Sequence, residues 1–239
     1  MSEYLSAVAE EVETSDLGSS RRNFLGLSLA AGAAVLTFGT SAGQADVLRS
    51  VKGLIYLDPL VVNFAFELED LCKQFFQRAL TSAALDSLSP REKNVIYLIA
   101  REDQEHYDAI KKLRSRNGYK GAGGLETSNA ANTLQPGFFK FPGNAFKTRE
   151  GLYTTALDIK ETALFAYHGA VDLVAKDTLK SAVAIAGVEG RHLAVLRELC
   201  GIDPVPSPFE GALSPDAVGR RLKKYNFNGG GFGNRGGNR

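Results

Sequence analysis

The sequence predicts an all-α fold: a four-helix bundle with one long crossover between helices 2 and 3, plus a short C-terminal helix. Three observations predict it. From Asp58 onward apolar residues recur at steps of three and four, the helical period. Start and stop signals cut that stretch into four segments of similar length. Of the three connections, two are short, and the middle one, residues 117–147, is long and holds six Gly and two Pro.

Asp58-Pro59 reads as an N-cap followed by Pro at the first helical position, opening a helix over residues 58–80. Ser89-Pro90-Arg91-Glu92 is a capping box, so the second helix starts there and ends near residue 116, before Gly118. The third helix is expected over residues 148–176 and the fourth over 178–200, where Gly201 and Pro204 stop it. At 1.5 Å per residue each is roughly 33–43 Å long. Short first and third connections make antiparallel pairs, and the long one can return along the whole bundle. Phe138, Phe139, Phe141 and Phe146 are expected to pin that crossover to the outside. Ser214-Pro215 starts the short last helix, which ends near Tyr225.

Composition narrows the function classes. In 239 residues, 28 Lys and Arg face 27 Asp and Glu, for a net charge of +1. That balance argues against a nucleic-acid partner. Two Cys make neither a disulfide scaffold nor a cysteine zinc cluster. No apolar run reaches the roughly 20 residues of a membrane span, so the mature protein is not expected to cross one. The charge is uneven along the chain. Residues 1–45 hold five acids and two bases, leaving 22 acids and 26 bases in the rest. Within that acidic leader, Ser20-Arg21-Arg22-Asn23-Phe24-Leu25 precedes a run rich in Leu, Ala and Gly and then small residues. The layout is that of a secretory signal, and it resembles a twin-arginine signal peptide cleaved after Ala42 or Ala45. The resemblance implies the twin-arginine translocation machinery as a partner and a periplasmic or extracellular destination. Residues 46–225 are expected to form the bundle. Residues 226–239, with six Gly, four Asn and two Arg, are expected to be a disordered tail.

The inward stripes carry the chemistry. They read Val62, Ala65, Glu69, Cys72, Phe76 in helix 1; Ile96, Ile99, Asp103, His106, Ile110, Leu113 in helix 2; Leu157, Glu161, Leu164, His168, Val171 in helix 3; and Ala182, Ile185, Glu189, His192, Leu196 in helix 4. Each is apolar except for one carboxylate near mid-helix, joined by a His in three of the four. Buried unpaired carboxylates cost several kcal/mol or more each, so something positive is expected between them. Two divalent cations balance four carboxylates. The expected ligands are Glu69 and Glu161 together with two acid-x-x-His pairs, Asp103/His106 and Glu189/His192, whose spacing puts both side chains on one face. His168 lies two turns beyond Glu161 and reads as a supporting or proton-relay group; Tyr167 reads as packing or a supporting hydrogen bond. Glu67, Asp70 and Glu105 read as solvated. Cys72 and Cys200 are expected about 12 Å apart along the axis and therefore free.

These residues resemble the ferritin-like domain proteins that include exported, desiccation-related members. The resemblance rests on Asn63-Phe64-Ala65-Phe66-Glu67-Leu68-Glu69, on Glu161 with Ala166-Tyr167, and on Glu189-Gly190-Arg191-His192-Leu193-Ala194-Val195-Leu196. It implies a di-iron or di-manganese carboxylate site, iron ahead of manganese, that oxidises Fe(II) or reduces O₂ or peroxide in stress protection. Asp103 departs from the pattern by standing where such sites carry Glu, with Glu102 in reserve one position off the stripe. No catalytic residue is expected beyond the metal site. Two alternatives stay open: a non-catalytic stress-associated or envelope protein with a vestigial site, and manganese catalase-like peroxide dismutation with the same ligands.

Overall fold

A computed structural model describes residues 58–116 and 137–229. The signal-peptide reading of residues 1–45, with Arg21 and Arg22, lies outside the described residues, as does most of the crossover. The bundle helices are α1 (Asp58–Ala79), α3 (Pro90–Arg116), α4 (Arg149–Gly169) and α5 (Lys176–Leu199). A single turn, α2 (Ala83–Asp86), sits in the first connection, and α6 (Pro215–Leu222) follows the bundle. Helix α1 packs along α3 and α4 along α5, with α1 also touching α4, and α3 touching α5. No strand occurs among the described residues, and none of their helices is long and apolar enough to cross a membrane.

Local chemistry sets the ends. At α3 the Glu92 carboxylate accepts from Ser89 N–H at 2.8 Å while Ser89 Oγ accepts from Glu92 N–H at 3.3 Å, a closed capping box. Thr148 Oγ1 caps α4 through Gly151 N–H, and Ser214 Oγ caps α6 through Ala217 N–H. Helix α5 stops in a Schellman arrangement: Gly201 takes φ +69°, Gly201 N–H donates to the Glu198 carbonyl, and Ile202 N–H donates to that of Arg197. Asp58 is the first residue of α1 rather than its cap, and its Oδ2 accepts from Ala175 N–H at 2.9 Å, ahead of α5. The acid thus serves the positive end of a helix that has no side-chain cap of its own.

Helix α4 ends at Gly169, short of the expected Lys176, and a 3₁₀ turn (Val171–Leu173) takes over. The segment leading into α6 presses on this end. Leu213 N–H donates to the Phe165 carbonyl at 2.9 Å, and a Cβ on Gly169 would stand within 1.9 Å of the Leu213 carbonyl oxygen. Only Gly permits that approach.

The core runs through the whole bundle, from Phe75, Phe76, Ile96 and Ile99 to Leu152, Tyr153 and Leu196. Phe141 and Phe146 pack on Phe75 with ring centroids 5.3 and 5.4 Å away, and Phe139 is buried, so the described end of the crossover is pinned by its aromatics as expected. Residues 226–229 are described and pack on the bundle. Phe227 is buried edge-on against Phe64 at 5.4 Å, and Asn228 N–H donates to Glu67. The tail expected from Asn226 therefore has its first residues packed on α1, because Phe227 has apolar surface to bury. Both cysteines are free, Cys72 buried and Cys200 half-buried.

Candidate metal centre

Glu69, Asp103, His106, Glu189 and His192 converge in the middle of the bundle. Glu69, Asp103 and Glu189 are fully buried and the two imidazoles nearly so. They form two overlapping groups, Glu69–His106–Glu189 and Asp103–Glu189–His192, in each of which the candidate ligand atoms lie within 4.8 Å of one another. Glu189 belongs to both. His106 Nδ1 is 3.0 Å from Glu189 Oε1 and 3.8 Å from Glu69 Oε2. His192 Nδ1 is 3.7 Å from Asp103 Oδ1 and 3.8 Å from Glu189 Oε1. Four buried atoms here, Glu69 Oε2, Asp103 Oδ2, Glu189 Oε2 and His192 Nδ1, have no hydrogen-bond partner, and of these Glu189 Oε2 faces the Lys160 ammonium. Lone pairs left bare in a protein interior are costly, and a cation among them removes the cost. The donor set of carboxylate oxygens and imidazole nitrogens suits iron or manganese.

Glu161 does not join this group. It faces away from the centre, where its carboxylate takes Arg197 at 2.8 Å and Arg221 at 2.6 Å. With Asp158, which accepts from Arg221 and Tyr225, it clamps α6 onto α4. The residue that α4 turns inward is Lys160. It is fully buried, with Nζ 2.7 Å from Asp103 Oδ1 and 2.5 Å from Glu189 Oε2. The pair of ions expected from four carboxylates rested on Glu161, and an ammonium stands on that side instead. Adjacent helical positions point about 100° apart, so a one-residue phase error exchanges an acid for a base.

The supporting groups are placed as follows. Tyr167 O–H donates to Glu69 Oε1 at 2.5 Å. Glu102, held in reserve as a ligand, lies behind His192 and accepts from its Nε2 at 2.7 Å. A carboxylate accepts only, so Nε2 carries the hydrogen and Nδ1 turns its lone pair to the centre, the carboxylate–imidazole support typical of metal ligands. His168 is elsewhere, with Nδ1 3.1 Å from the Gly211 carbonyl. Glu67 and Asp70, read as solvated, are buried; Asp70 pairs with Lys73 at 2.6 Å and Gln74 at 2.8 Å. A cleft of about 320 Å³ between α4 and α5 has Tyr167, His168, Gly187 and Gly190 in its wall, and the Tyr167 hydroxyl donates to Glu69.

A family model described as the ferritin-like domain matches residues 57–201. The chain belongs to the ferritin-like domain family. No curated protein matches it. The groups that could hold a metal ion sit on inward faces of α1, α3 and α5, while α4 brings a lysine.

Titration follows from burial and mutual repulsion. Burial first, then the Glu189 charge, push Glu69 up to about 8. Burial raises Asp103 to about 6 against the pull of Lys160. Burial would also raise Glu189, but Lys160 and the His106 hydrogen bond outweigh it and hold it at about 2. Burial and Lys160 lower His192 to about 4, whereas the hydrogen bond to Glu189 and the Glu69 charge raise His106 against burial. Groups raised on folding stabilise below their unfolded values, and that stability is lost as pH rises through the folded values. Glu69 and His106 both act this way above pH 6.5. The metal-free ferritin-like chain is therefore expected to melt at progressively lower temperature from pH 6.5 to 8. Saturating Mn²⁺, which displaces those protons, should abolish the decline. A melting temperature that rises over this window without metal would contradict the assignment.

Proposed function

We propose that this protein is an exported ferritin-like metal protein that binds redox-active iron, or manganese, and oxidises Fe(II) or reduces O₂ or peroxide in stress protection. The observation that carries the reading is the buried cluster of three carboxylates and two imidazoles, with bare lone pairs, inside a ferritin-like bundle. Bound there, the metal would supply one-electron chemistry, with O₂ or peroxide as the oxidant. Glu69, His106, Glu189, Asp103 and His192 are the residues to hold it. Glu102 fixes the tautomer and tilt of His192. Tyr167 orients the Glu69 carboxylate from the cleft side, where a small oxidant can approach. The aliphatic and aromatic shell keeps bulk water from the cluster. Export by the twin-arginine machinery to the periplasm or beyond is supported by the Arg21-Arg22 signal, a route suited to proteins that fold and load metal inside the cell.

The test is metal analysis of protein purified from its export compartment, followed by anaerobic Fe(II) addition and then O₂ or peroxide. Bound iron and consumption of the oxidant are expected. Oxygen evolution from peroxide by the manganese form would favour dismutation instead. No metal as purified and no uptake on addition would sink the metal reading. The buried ammonium of Lys160 would then favour the second reading, a non-catalytic stress-associated or envelope protein whose centre is neutralised internally.

A further inference from the structure

Two cation positions are suggested by two overlapping donor groups, but the groups are not equivalent. Both carboxylates of the Asp103–Glu189–His192 group are engaged by Lys160, whose Nζ lies 2.7 Å from Asp103 Oδ1 and 2.5 Å from Glu189 Oε2. The ammonium has no exposure to solvent and no route to screening by water. It gives those two acids a positive charge shared between their carboxylates, as a metal ion would. In the other group no ammonium intervenes: Glu69 Oε2 has no hydrogen bond, as Asp103 Oδ2 and His192 Nδ1 have none in the first, and His106 Nδ1 hydrogen-bonds to Glu189 Oε1 at 3.0 Å.

Charge gives the same division. Glu69, Asp103 and Glu189 contribute three negative charges when a metal is bound, and Lys160 offsets one. What is left is neutralised by one divalent cation. A second would leave the centre with two surplus positive charges, of which Glu102, part-exposed behind His192, offsets at most one, while Glu161 is occupied by two arginines. Uncompensated charge in a buried centre costs several kcal/mol.

We propose that the centre takes a single divalent cation per chain, held by Glu69, His106 and Glu189, with the Lys160 ammonium filling the place of the second. His192, tied through Nε2 to Glu102, closes the ammonium's side of the centre. The proposal rests on the metal reading above and adds to it the number of ions and their position. It also sets this chain apart within a bundle type that pairs two metals between four carboxylates.

The experiment is anaerobic titration of the full chain with Mn²⁺, read both by metal content after desalting and by electron paramagnetic resonance. One ion per chain, with the spectrum of an isolated ion free of exchange coupling, is expected. Lys160→Met keeps the length and removes the charge, and is expected to admit a second, weaker ion that couples magnetically to the first; Lys160→Gln provides the same readout should the methionine variant fail to fold. Two ions in the wild-type chain would overturn the proposal and leave the metal reading standing, whereas none would overturn both. A folded Lys160 variant that still takes one uncoupled ion would also overturn it, since the ammonium would then not be what excludes the second.

Discussion

Lys160→Met is expected to cost the metal-free protein about 3–5 kcal/mol, the range for removing one partner of a buried ion pair. For a domain of this size that lowers the melting temperature on the order of 10 °C. The cause is not lost packing, since methionine fills a similar volume. Asp103 and Glu189 are fully buried within 2.7 Å of the ammonium, and without it each confronts the other and Glu69 in a region water does not reach. The variant can escape only by taking up protons. Glu69, raised to about 8, takes up a proton first and Asp103, raised to about 6, follows, so the loss should be larger at pH 8 than at pH 6. Divalent cations should recover much of it, because they replace the missing charge. Thermal unfolding of metal-stripped wild type and variant at both pH values, with and without Mn²⁺, checks each step. Equal melting temperatures at pH 8 would mean that Lys160 does not hold the centre together.

Most of the helical framework was legible because its signals are local. A capping box is four consecutive residues, and Ser89 to Glu92 close as that pattern requires. Gly201 stops α5 through its own positive φ. The inward stripes of α3 and α5 were legible because each of these helices leaves a side open to solvent; Ile96, Ile99, Asp103, His106, Ile110 and Leu113 are all buried, while Tyr97, Leu98, Arg101 and Glu105 are exposed. Helix α4 gave no such contrast. It is covered by the other helices on one side and by α6 and the end of the crossover on the other, so nearly every residue from Gly151 to Tyr167 is buried. Without a polar face its sequence does not reveal its phase, and the expectation of a fourth carboxylate favoured Glu161 over its neighbour. A signal was present: Lys160 is a lone base in an otherwise apolar and acidic stretch, between Ile159 and Glu161. The remaining errors concern partners distant in sequence. Nothing near Glu161 announces Arg221, nothing near Asp58 announces Ala175, and the packing of Phe227 on Phe64 that covers the Glu67 region depends on a return of the chain across the bundle.

Glu189→Gln is expected to weaken divalent-cation binding by at least about 100-fold, because even residues that merely support a metal ligand are worth 10–100-fold. Glutamine keeps the shape and one acceptor oxygen but loses the charge, so the change isolates electrostatics from packing. Glu189 is the residue through which both donor groups pass, with one oxygen at His106 and the other at Lys160. No other substitution removes a donor from both. Glu161→Gln gives the decisive contrast. The sequence pattern makes that residue a ligand of equal rank; the structure gives it to Arg197 and Arg221, outside the centre. It should therefore leave cation affinity within about twofold of wild type while lowering stability through two half-emptied guanidinium contacts, each a charge-assisted hydrogen bond of about 1.5–3 kcal/mol. Calorimetric titration with Mn²⁺ alongside thermal unfolding separates the two outcomes. Equal loss of affinity in both variants would return Glu161 to the metal centre and place Lys160 outside it.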